Sequence, residues 1–325
     1  MRLFLVAFTA VTLTAGAAGY VALHVYREAG PLPESRDVVV PHGGLETVGG
    51  ALVSAGVVRQ VWPFRLAAMA TIAEGPLHAA ELHFPKDASL ERVLDVLRTG
   101  RPVDHRVTIA EGLEAAQIAQ VLARQGALLP GDLAVPEEGA MLPETYAFQR
   151  GTSAAEFSER AEAAMRRALA EEWRTRATGL PLHSPDEALI LASIVEHEAR
   201  LPAERPMIAR VFLNRLALGM RLQADPTAAY VAEGGLGALS RPLDKGDLTR
   251  VDPYNTYVVS GLPAGPICSP GLASLRAVLH PASGDALYFV ADGTGGHVFS
   301  ASLAAHSANV ARYRSRPGET RPGER

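Results

Sequence analysis

The chain has 325 residues, 48% of them hydrophobic and 20% charged, so most of it should fold around cores rather than remain disordered. Its formal net charge of -4 argues against electrostatic binding of nucleic acid, which needs a basic face or stripe. The single cysteine, Cys268, excludes an intrachain disulfide and any metal site built from several cysteines. It lies in a loop rich in proline and glycine, where we expect an unpaired structural thiol.

A long apolar segment opens the chain. Leu3–Val25 is 23 residues without a formal charge when His24 is taken as neutral, and a helix of about 20 such residues spans a bilayer core. We therefore expect a membrane anchor over residues 1–26, with the remainder of the chain on the far side of the membrane. A cleaved signal peptide with a site at residues 15–17 is the alternative, but the apolar character continues past that site. A short polar linker follows at residues 27–37.

Three segments share one pattern: a β-branched run, a turn and a short amphipathic helix. They are Val38–Gly56, Leu82–Gly100 and Val107–Gly126. In each, the apolar positions change from strand-like runs to helical spacing, and a glycine ends the segment where a helix C-terminal cap belongs. Units this short cannot bury their apolar faces alone, so we expect them to pack on one another or on a neighbour. The predicted domain of repeats and connecting segment covers residues 38–150.

The character of the chain changes after residue 150. Helices are predicted at Glu156–Thr175, Ser184–Arg200, Pro206–Leu216 and Leu272–Leu279, and a strand at Ala286–Asp292. The glycine-rich sequence GTGGH that follows the strand is interpreted as a hairpin-type turn. The predicted catalytic domain spans residues 151–313, and the polar tail at residues 314–325 should be disordered.

The most informative stretch is Ser184–Arg200, because it places acids where a helix should be apolar. Ser184 and Glu187 have the S-x-x-E spacing of a capping box, and the residues after them are apolar nearly all round. Glu196 falls on a core-facing stripe, where charging a carboxylate is costly and a proton stays available for general acid catalysis. Glu198 lies on a comparable stripe and is the alternative acid. The plain alternative is that both mark the exposed end of the helix.

Loops rich in polar residues follow this helix. Gln223, Asp225, Asn255 and Tyr257 offer donors and acceptors suited to sugar hydroxyls and amides, which favours a polymer cleft over a closed pocket. Each of them alone is more often ordinary turn chemistry.

Other chemistries find no support in the sequence. No H-x-x-x-H pair lies on a predicted helix, and GTGGH lacks both the ending of a P-loop and dinucleotide-binding spacing. No G-x-S-x-G nucleophile elbow occurs. We therefore expect neither a metal nor a cofactor, and Glu196 is the strongest catalytic candidate.

Four motifs resemble those of the endolytic murein transglycosylase family (MltG, or YceG-like). They are ASIVEHEAR, RVFLNRLALGMRLQADPTAAY, YNTYVVSGLPAGPICSPG and LYFVADGTGGHVFS, and the likeness runs in family order from the predicted anchor to about Tyr313. The three repeats resemble the LysM-like modules of that family. The resemblance thus implies an α+β protein with an N-terminal transmembrane helix, LysM-like βα repeats and a mixed α+β catalytic domain.

The resemblance also implies an activity. It implies an inner-membrane protein whose periplasmic domain cuts nascent peptidoglycan glycan strands internally and terminates their elongation, with peptidoglycan synthases as candidate partners. The family's catalytic glutamate maps onto Glu196, the first acid of VEHE. From their own chemistry and position, we expect Glu198, Gln223, Asp225, Asn255 and Tyr257 to bind substrate.

A lytic transglycosylase needs only one acid. That acid protonates the oxygen between N-acetylmuramic acid and N-acetylglucosamine, and its carboxylate then takes the proton from the muramic C6 hydroxyl, which attacks C1 and leaves a 1,6-anhydro end. Two alternatives stay open. One is a non-catalytic glycan-binding or division-scaffold protein, and the other is a two-carboxylate glycoside hydrolase in which Asp225 or Glu198 partners Glu196.

Overall fold

The computed structural model describes most of the chain. The described residues are 2–128, 134–236, 239 and 241–315, without the side chains of residues 2–11. Most of the predicted tail, residues 316–325, therefore lies outside them.

The internal contacts divide the chain into two compact units. Unit 1 comprises Met1–His105 and Phe148–Gly151, and unit 2 comprises Arg106–Ala147 and Thr152–Arg325. This division separates the repeat-like segment Val107–Gly126 from the other two, with which the sequence grouped it. Hydrogen bonds explain the placement, because Gly112 N–H donates to the Ser269 carbonyl and Ser269 N–H donates to the Leu113 carbonyl, all within unit 2.

Unit 1 holds short helices around a two-stranded sheet. Its elements are α1 (Arg2–Arg27), β1 (Arg36–Val39), α2 (Leu45–Ser54), α3 (Val61–Ala70), β2 (Glu81–Phe84) and α4 (Leu90–Thr99). β1 and β2 pair antiparallel, with Arg36 opposite Phe84. Leu52, Phe64 and Leu94 are fully buried in the core of this unit. A strand followed by a helix thus occurs in both repeat-like segments of unit 1, as predicted.

Helix α1 covers the predicted anchor, Leu3–Val25. Across the described part of the chain, however, no helix is both long enough and apolar enough to cross a membrane. The predicted transmembrane span is not confirmed.

Unit 2 is mainly helical. Two strands, β3 (Asp104–Thr108) and β4 (Thr145–Gln149), each have residues in both units. The remaining elements belong to unit 2 and are α5 (Ala115–Ala123), α6 (Ala154–Arg174), α7 (Pro185–Glu198), α8 (Arg205–Ala217), α9 (Asp225–Glu233), α10 (Lys245–Thr249), α11 (Leu272–Leu279), β5 (Tyr288–Ala291), β6 (His297–Ser300) and α12 (Leu303–Arg314). Helices α7, α8 and α11 pack against one another and form the core, with Leu191, Phe212 and Leu275 fully or almost fully buried. Together with the small sheets, these helices make a mixed α+β fold, as the sequence predicted.

The N-terminus of α7 forms one of the two hydrogen bonds of the predicted capping box. The Ser184 side chain accepts a hydrogen bond from the Glu187 N–H at 3.2 Å, and Pro185 occupies the first turn. The Glu187 carboxylate, however, accepts from the His183 N–H at 2.6 Å rather than from Ser184. The cap therefore fixes the start of α7, and the buried residues that follow fix its direction through the core.

The glycine-rich sequence after β5 is a hairpin turn, as predicted. β5 and β6 pair antiparallel, with Ala291 opposite His297. The Asp292 carboxylate accepts from the N–H groups of Thr294 and Gly296, which fixes the turn between the strands.

Candidate active site

A cavity of about 700 Å³ opens in unit 2 beside the C-terminal end of α7, and we call it the cleft. The loop before α5, the end of α7, the start of α9 and the β5–β6 hairpin form its walls. Its polar lining consists of Glu114, Gln117, His197, Glu198, Arg200, Asp225, Tyr230, His297 and Tyr313. Of the predicted site residues, Glu198 and Asp225 line the cleft, whereas Glu196, Gln223, Asn255 and Tyr257 do not.

The environment of Glu196 differs from the apolar one that the sequence predicted. Its Oε1 accepts from Arg205 Nη2 at 2.8 Å, and its Oε2 accepts from the Gly271 N–H at 2.9 Å. Gly271 is the N-cap of α11, and Arg205 begins α8. The side chain of Glu196 is nearly buried, as its position on a core-facing stripe predicts, and it has these two polar partners in addition. Both partners of Glu196 are donors, so both of its carboxylate oxygens act as acceptors in this geometry.

Glu196 instead holds three core helices together. Its side chain is 6% exposed and that of Arg205 is 12% exposed, so the ion pair is nearly buried. Arg205 also approaches the Glu111 carboxylate at 3.4 Å, in the loop that forms one wall of the cleft. The pair thus ties the ends of α7, α8 and α11 to that loop.

Glu198 has the character of a general acid. Burial, and after it the negative charge of Asp225, raise the pKa of the Glu198 carboxyl to about 8, against the opposing effect of the Arg215 guanidinium. A carboxyl with a pKa of 8 is roughly nine-tenths protonated at pH 7. The carboxyl with this raised pKa lines the cleft.

Asp225 is fixed beside Glu198 by its own partner. It is the first residue of α9, and the Tyr257 hydroxyl donates a hydrogen bond to its Oδ1. Burial and the Asp225 carboxylate both raise the pKa of Tyr257, so the phenol stays a donor. Tyr257 therefore acts on the cleft through Asp225 rather than by lining it.

The Arg215 guanidinium is held in place by backbone carbonyls. Nε donates to the Leu287 carbonyl at 2.7 Å and Nη1 to the Leu222 carbonyl at 2.6 Å, while the guanidinium lies 5.4 Å from the centroid of the Tyr288 ring. A fixed positive charge near the two acids limits how far the pKa of Glu198 can rise.

Asn255, which the sequence predicts to bind substrate, lies outside the cleft lining and is hydrogen-bonded within the protein. It is fully buried, and its Nδ2 donates to the carbonyls of Asp247 and Arg250 at 3.0 and 2.9 Å. Its Oδ1 accepts from the Tyr257 N–H at 3.1 Å. Both ends of its amide therefore have backbone partners within the protein.

Gln223 lies outside the cleft lining, with an exposed side chain and a left-handed backbone at φ 49°. Its N–H donates to the Thr256 carbonyl at 3.1 Å. Its backbone therefore joins two loops, and its predicted contact with substrate is not supported by its position.

The sequence does not indicate several of the residues that line the cleft. Glu114 and Gln117 form the capping box of α5, and Tyr230 donates to Glu138 at 3.4 Å. The E-x-x-Q spacing of Glu114 and Gln117 could have indicated a helix start, but nothing in it indicated a cleft. In the sequence, His297 is only the last residue of the glycine-rich turn GTGGH, a position that does not indicate a cleft.

A glutamate with a raised pKa, on the wall of an open polar cleft, is typical of an acid–base site. The model of the YceG-like family matches residues 38–312. The chain belongs to this family, as its motifs indicated.

Two curated relatives match the chain over about half its length. A Bacillus subtilis protein named endolytic murein transglycosylase is 37% identical over 184 residues, which cover 57% of this chain and 50% of the relative. A Streptococcus pneumoniae protein of the same name is 36% identical over 180 residues, which cover 54% of this chain and 32% of the relative. The chain thus spans about half and about a third of the lengths of these two relatives.

A solved structure also resembles the chain. The crystal structure of a yceG-like protein from Listeria monocytogenes is 26% identical, with a TM-score of 0.50 over 85% of this chain and 98% of that one.

Proposed function

We propose that the protein is an endolytic peptidoglycan lytic transglycosylase, which cleaves the bond between N-acetylmuramic acid and N-acetylglucosamine and leaves 1,6-anhydro ends. The observation that carries the proposal is the Glu198 carboxyl, which lines a cleft of about 700 Å³ and has a pKa of about 8. The activity named for the two curated relatives supports it.

In this proposal Glu198 performs both proton transfers. It donates its proton to the bridging oxygen as the C1–O bond breaks and positive charge develops at C1. The resulting carboxylate takes the proton from the C6 hydroxyl, whose oxygen bonds to C1, and Glu198 is again protonated. No water is consumed, so atoms and charge balance within one turnover.

Asp225 has a separate role. Its carboxylate accepts a hydrogen bond from Tyr257, and on the wall of the cleft it stabilises the oxocarbenium-like centre electrostatically. Its charge also helps to keep Glu198 protonated until a glycosidic oxygen arrives.

This assignment moves the acid from Glu196 to Glu198. Family resemblance gave the role to the first acid of VEHE, but the partners of Glu196 are Arg205 and the Gly271 amide. We propose Glu196 as a positioning residue that holds the cleft wall.

Mass spectrometry of the products tests the function. The full-length chain is incubated with uncrosslinked glycan strands, together with Glu198→Gln and, as a matched control, Gln223→Ala. We expect anhydro ends from the unaltered chain and from Gln223→Ala, and a loss on the order of 10²–10⁴-fold from Glu198→Gln. Reducing ends would indicate a two-carboxylate hydrolase, and binding without cleavage would indicate a glycan-binding or scaffold protein. Either result contradicts the proposal.

We further propose that unit 1 binds glycan as a LysM-like module. In support, a groove of about 590 Å³ in this unit lies between the loop before α2 and the segment before β2. Its lining includes His42, Leu45, His78 and Arg98.

We also propose that the chain acts on the periplasmic side of the inner membrane, near the synthases that extend its substrate. The uncharged run Leu3–Val25 supports attachment to that membrane. Fractionation of cells expressing the full chain tests this proposal. Recovery in the soluble cytoplasm would contradict both the membrane attachment and the periplasmic location.

A further inference from the structure

His297 lies on the wall of the cleft and has no part in the proton transfers described above. It begins β6, and both His297 and Glu198 line the cleft. The two glycines that precede it, Gly295 and Gly296, also line the cleft and have no side chains to cover the ring.

One carboxylate holds His297 at two points. Glu204 Oε1 accepts from the His297 N–H at 2.8 Å, and Glu204 Oε2 lies 2.7 Å from Nδ1. The side chains of His297 and Glu204 are 13% and 18% exposed. Gly296 makes this approach feasible, because a Cβ at Gly296 would lie 2.8 Å from Glu204 Oε1.

Aromatic packing fixes the plane of the same ring. The Phe289 ring packs against it at 84° with 5.2 Å between centroids, and Phe289 in turn packs edge-on against Phe212 in the core of unit 2. Phe299 lies 6.3 Å away on the same strand as His297. Ring rotation is therefore limited from both the polar and the apolar side.

These contacts determine what the other ring nitrogen can do. Since Nδ1 faces a carboxylate, it carries a hydrogen, and in this tautomer Nε2 is the acceptor nitrogen. Within the described ranges, Nε2 makes no hydrogen bond to the protein. The orientation of a histidine by a carboxylate, with its second nitrogen left for another group, is typical of functional sites.

We infer that His297 is a substrate-positioning residue whose Nε2 accepts a hydrogen bond from an N-acetylated sugar bound in the cleft, from either an amide N–H or a hydroxyl. The inference rests on the proposed function and specifies one contact of its substrate. Glu204 acts through His297 by fixing the tautomer and the direction of the ring.

Two amide variants separate this role from a structural one. In His297→Asn, the shorter amide can place a donor where Nδ1 stands and keep the bond to Glu204, but it leaves the Nε2 position empty. His297→Gln can instead place a polar atom at the Nε2 position. Loss of a single hydrogen bond to substrate corresponds to roughly a ten-fold change in kcat/KM.

Kinetics on uncrosslinked glycan strands with the full-length chain tests the inference. We expect His297→Asn to lower kcat/KM about ten-fold while keeping the thermal midpoint, and His297→Gln to recover part of the loss. A His297→Asn variant with full activity would overturn the inference while leaving the proposed function intact. An unaltered chain that releases no anhydro ends would instead overturn the proposed function.

A binding measurement keeps the test independent of the folding of these variants. In Glu198→Gln, which retains His297, the ring ¹⁵N resonances are followed while a glycan fragment is added. We expect the Nε2 resonance of His297, the tautomer of which has its hydrogen on Nδ1, to shift when the fragment saturates the protein. A bound fragment that leaves this resonance unchanged would contradict the contact.

Discussion

Two glutamates separated by one residue on α7 differ in what surrounds them. Glu196 accepts hydrogen bonds from a guanidinium and a backbone amide. The pKa of Glu198 is instead raised by burial and by the charge of Asp225. The same type of side chain therefore forms a nearly buried ion pair in one case and has a raised pKa in the other. Arg205 and Asp225, the charged residues that contribute to the two environments, both lie in other segments of the chain.

The raised pKa of Glu198 predicts a pH-dependent effect on stability. An unfolded glutamate titrates near 4.5 and Glu198 in the folded chain near 8, so between these values the unfolded chain has lost a proton that the folded chain keeps. The free energy of unfolding therefore decreases as the pH rises through this window. Glu198→Gln removes this titration, so the free energy of unfolding of the variant should not decrease in the same way. Relative to the unaltered chain, the variant should therefore gain roughly 1–3 kcal/mol of stability between pH 4.5 and pH 8.

Thermal unfolding at pH 4.5, 6 and 8 measures this effect. Glu159→Gln, an exposed acid on α6, is the matched control and should show a difference independent of pH. A Glu198→Gln difference that is equally flat would refute the raised pKa.

The Arg205–Glu196 pair predicts an asymmetry between its two partners. Arg205→Met leaves a nearly buried carboxylate without its cation and should destabilise unit 2 by about 3 kcal/mol. Glu196→Gln keeps an acceptor for the Gly271 amide and should cost less. Denaturant unfolding gives both values, with the exposed pair partner Arg174→Met as a control that should cost under about 1 kcal/mol. Equal small costs at Arg205 and Arg174 would contradict the structural role.

At the scale of elements, the helix caps connect local sequence to the core. Ser184 caps α7, which is buried between α8 and α11, and Ser302 caps α12 through the Ala305 N–H at 3.3 Å. No residue of α12 within the described chain is buried. The same local interaction should therefore matter differently for global unfolding.

Alanine substitution at the two caps tests this difference. Ser184→Ala should lower the free energy of global unfolding by about 1 kcal/mol. Ser302→Ala should mainly increase amide exchange in α12 and change the global value little. If both variants lowered global stability equally, the two helices would belong to one cooperative unit.

Elements with a local signature were predictable from the sequence. The bounds of α11 match its apolar spacing, the Ser184 cap is in place, and GTGGH is a hairpin turn. The partners of Glu196 were not predictable, because Gly271 lies 75 residues away and approaches only when α7 packs on α11. The partners of Asn255 were not predictable for the same reason. Its side-chain amide suits sugar binding, but in the folded chain it is buried and donates to backbone carbonyls.

At the scale of the whole molecule, the chain separates the proposed glycan-holding part from the part with the acid. Each unit has its own core, and the described contacts divide near residue 105. The groove of unit 1 and the cleft of unit 2 share no lining residue. Binding of a long strand and cleavage of one bond are therefore separable properties in this proposal.

Removal of most of unit 1 tests that separation. Deletion of residues 37–100 should weaken binding of polymeric glycan more than it slows turnover of short soluble fragments, because only a long strand can use both sites. Sedimentation with polymeric glycan and fragment kinetics measure the two quantities. Equal losses in both would make unit 1 a folding partner rather than a glycan-binding module.

The protonation of Glu198 in the folded, full-length chain can be measured directly by ¹³C NMR. The side-chain carboxyl carbon is labelled and assigned by its absence in Glu198→Gln, and its shift is followed from low to high pH. We expect a midpoint near 8, with kcat/KM falling about ten-fold per pH unit above that midpoint as the acid loses its proton. A midpoint near the unperturbed value of 4.5 would show that Glu198 is ionised at neutral pH and would contradict its role as the proton donor.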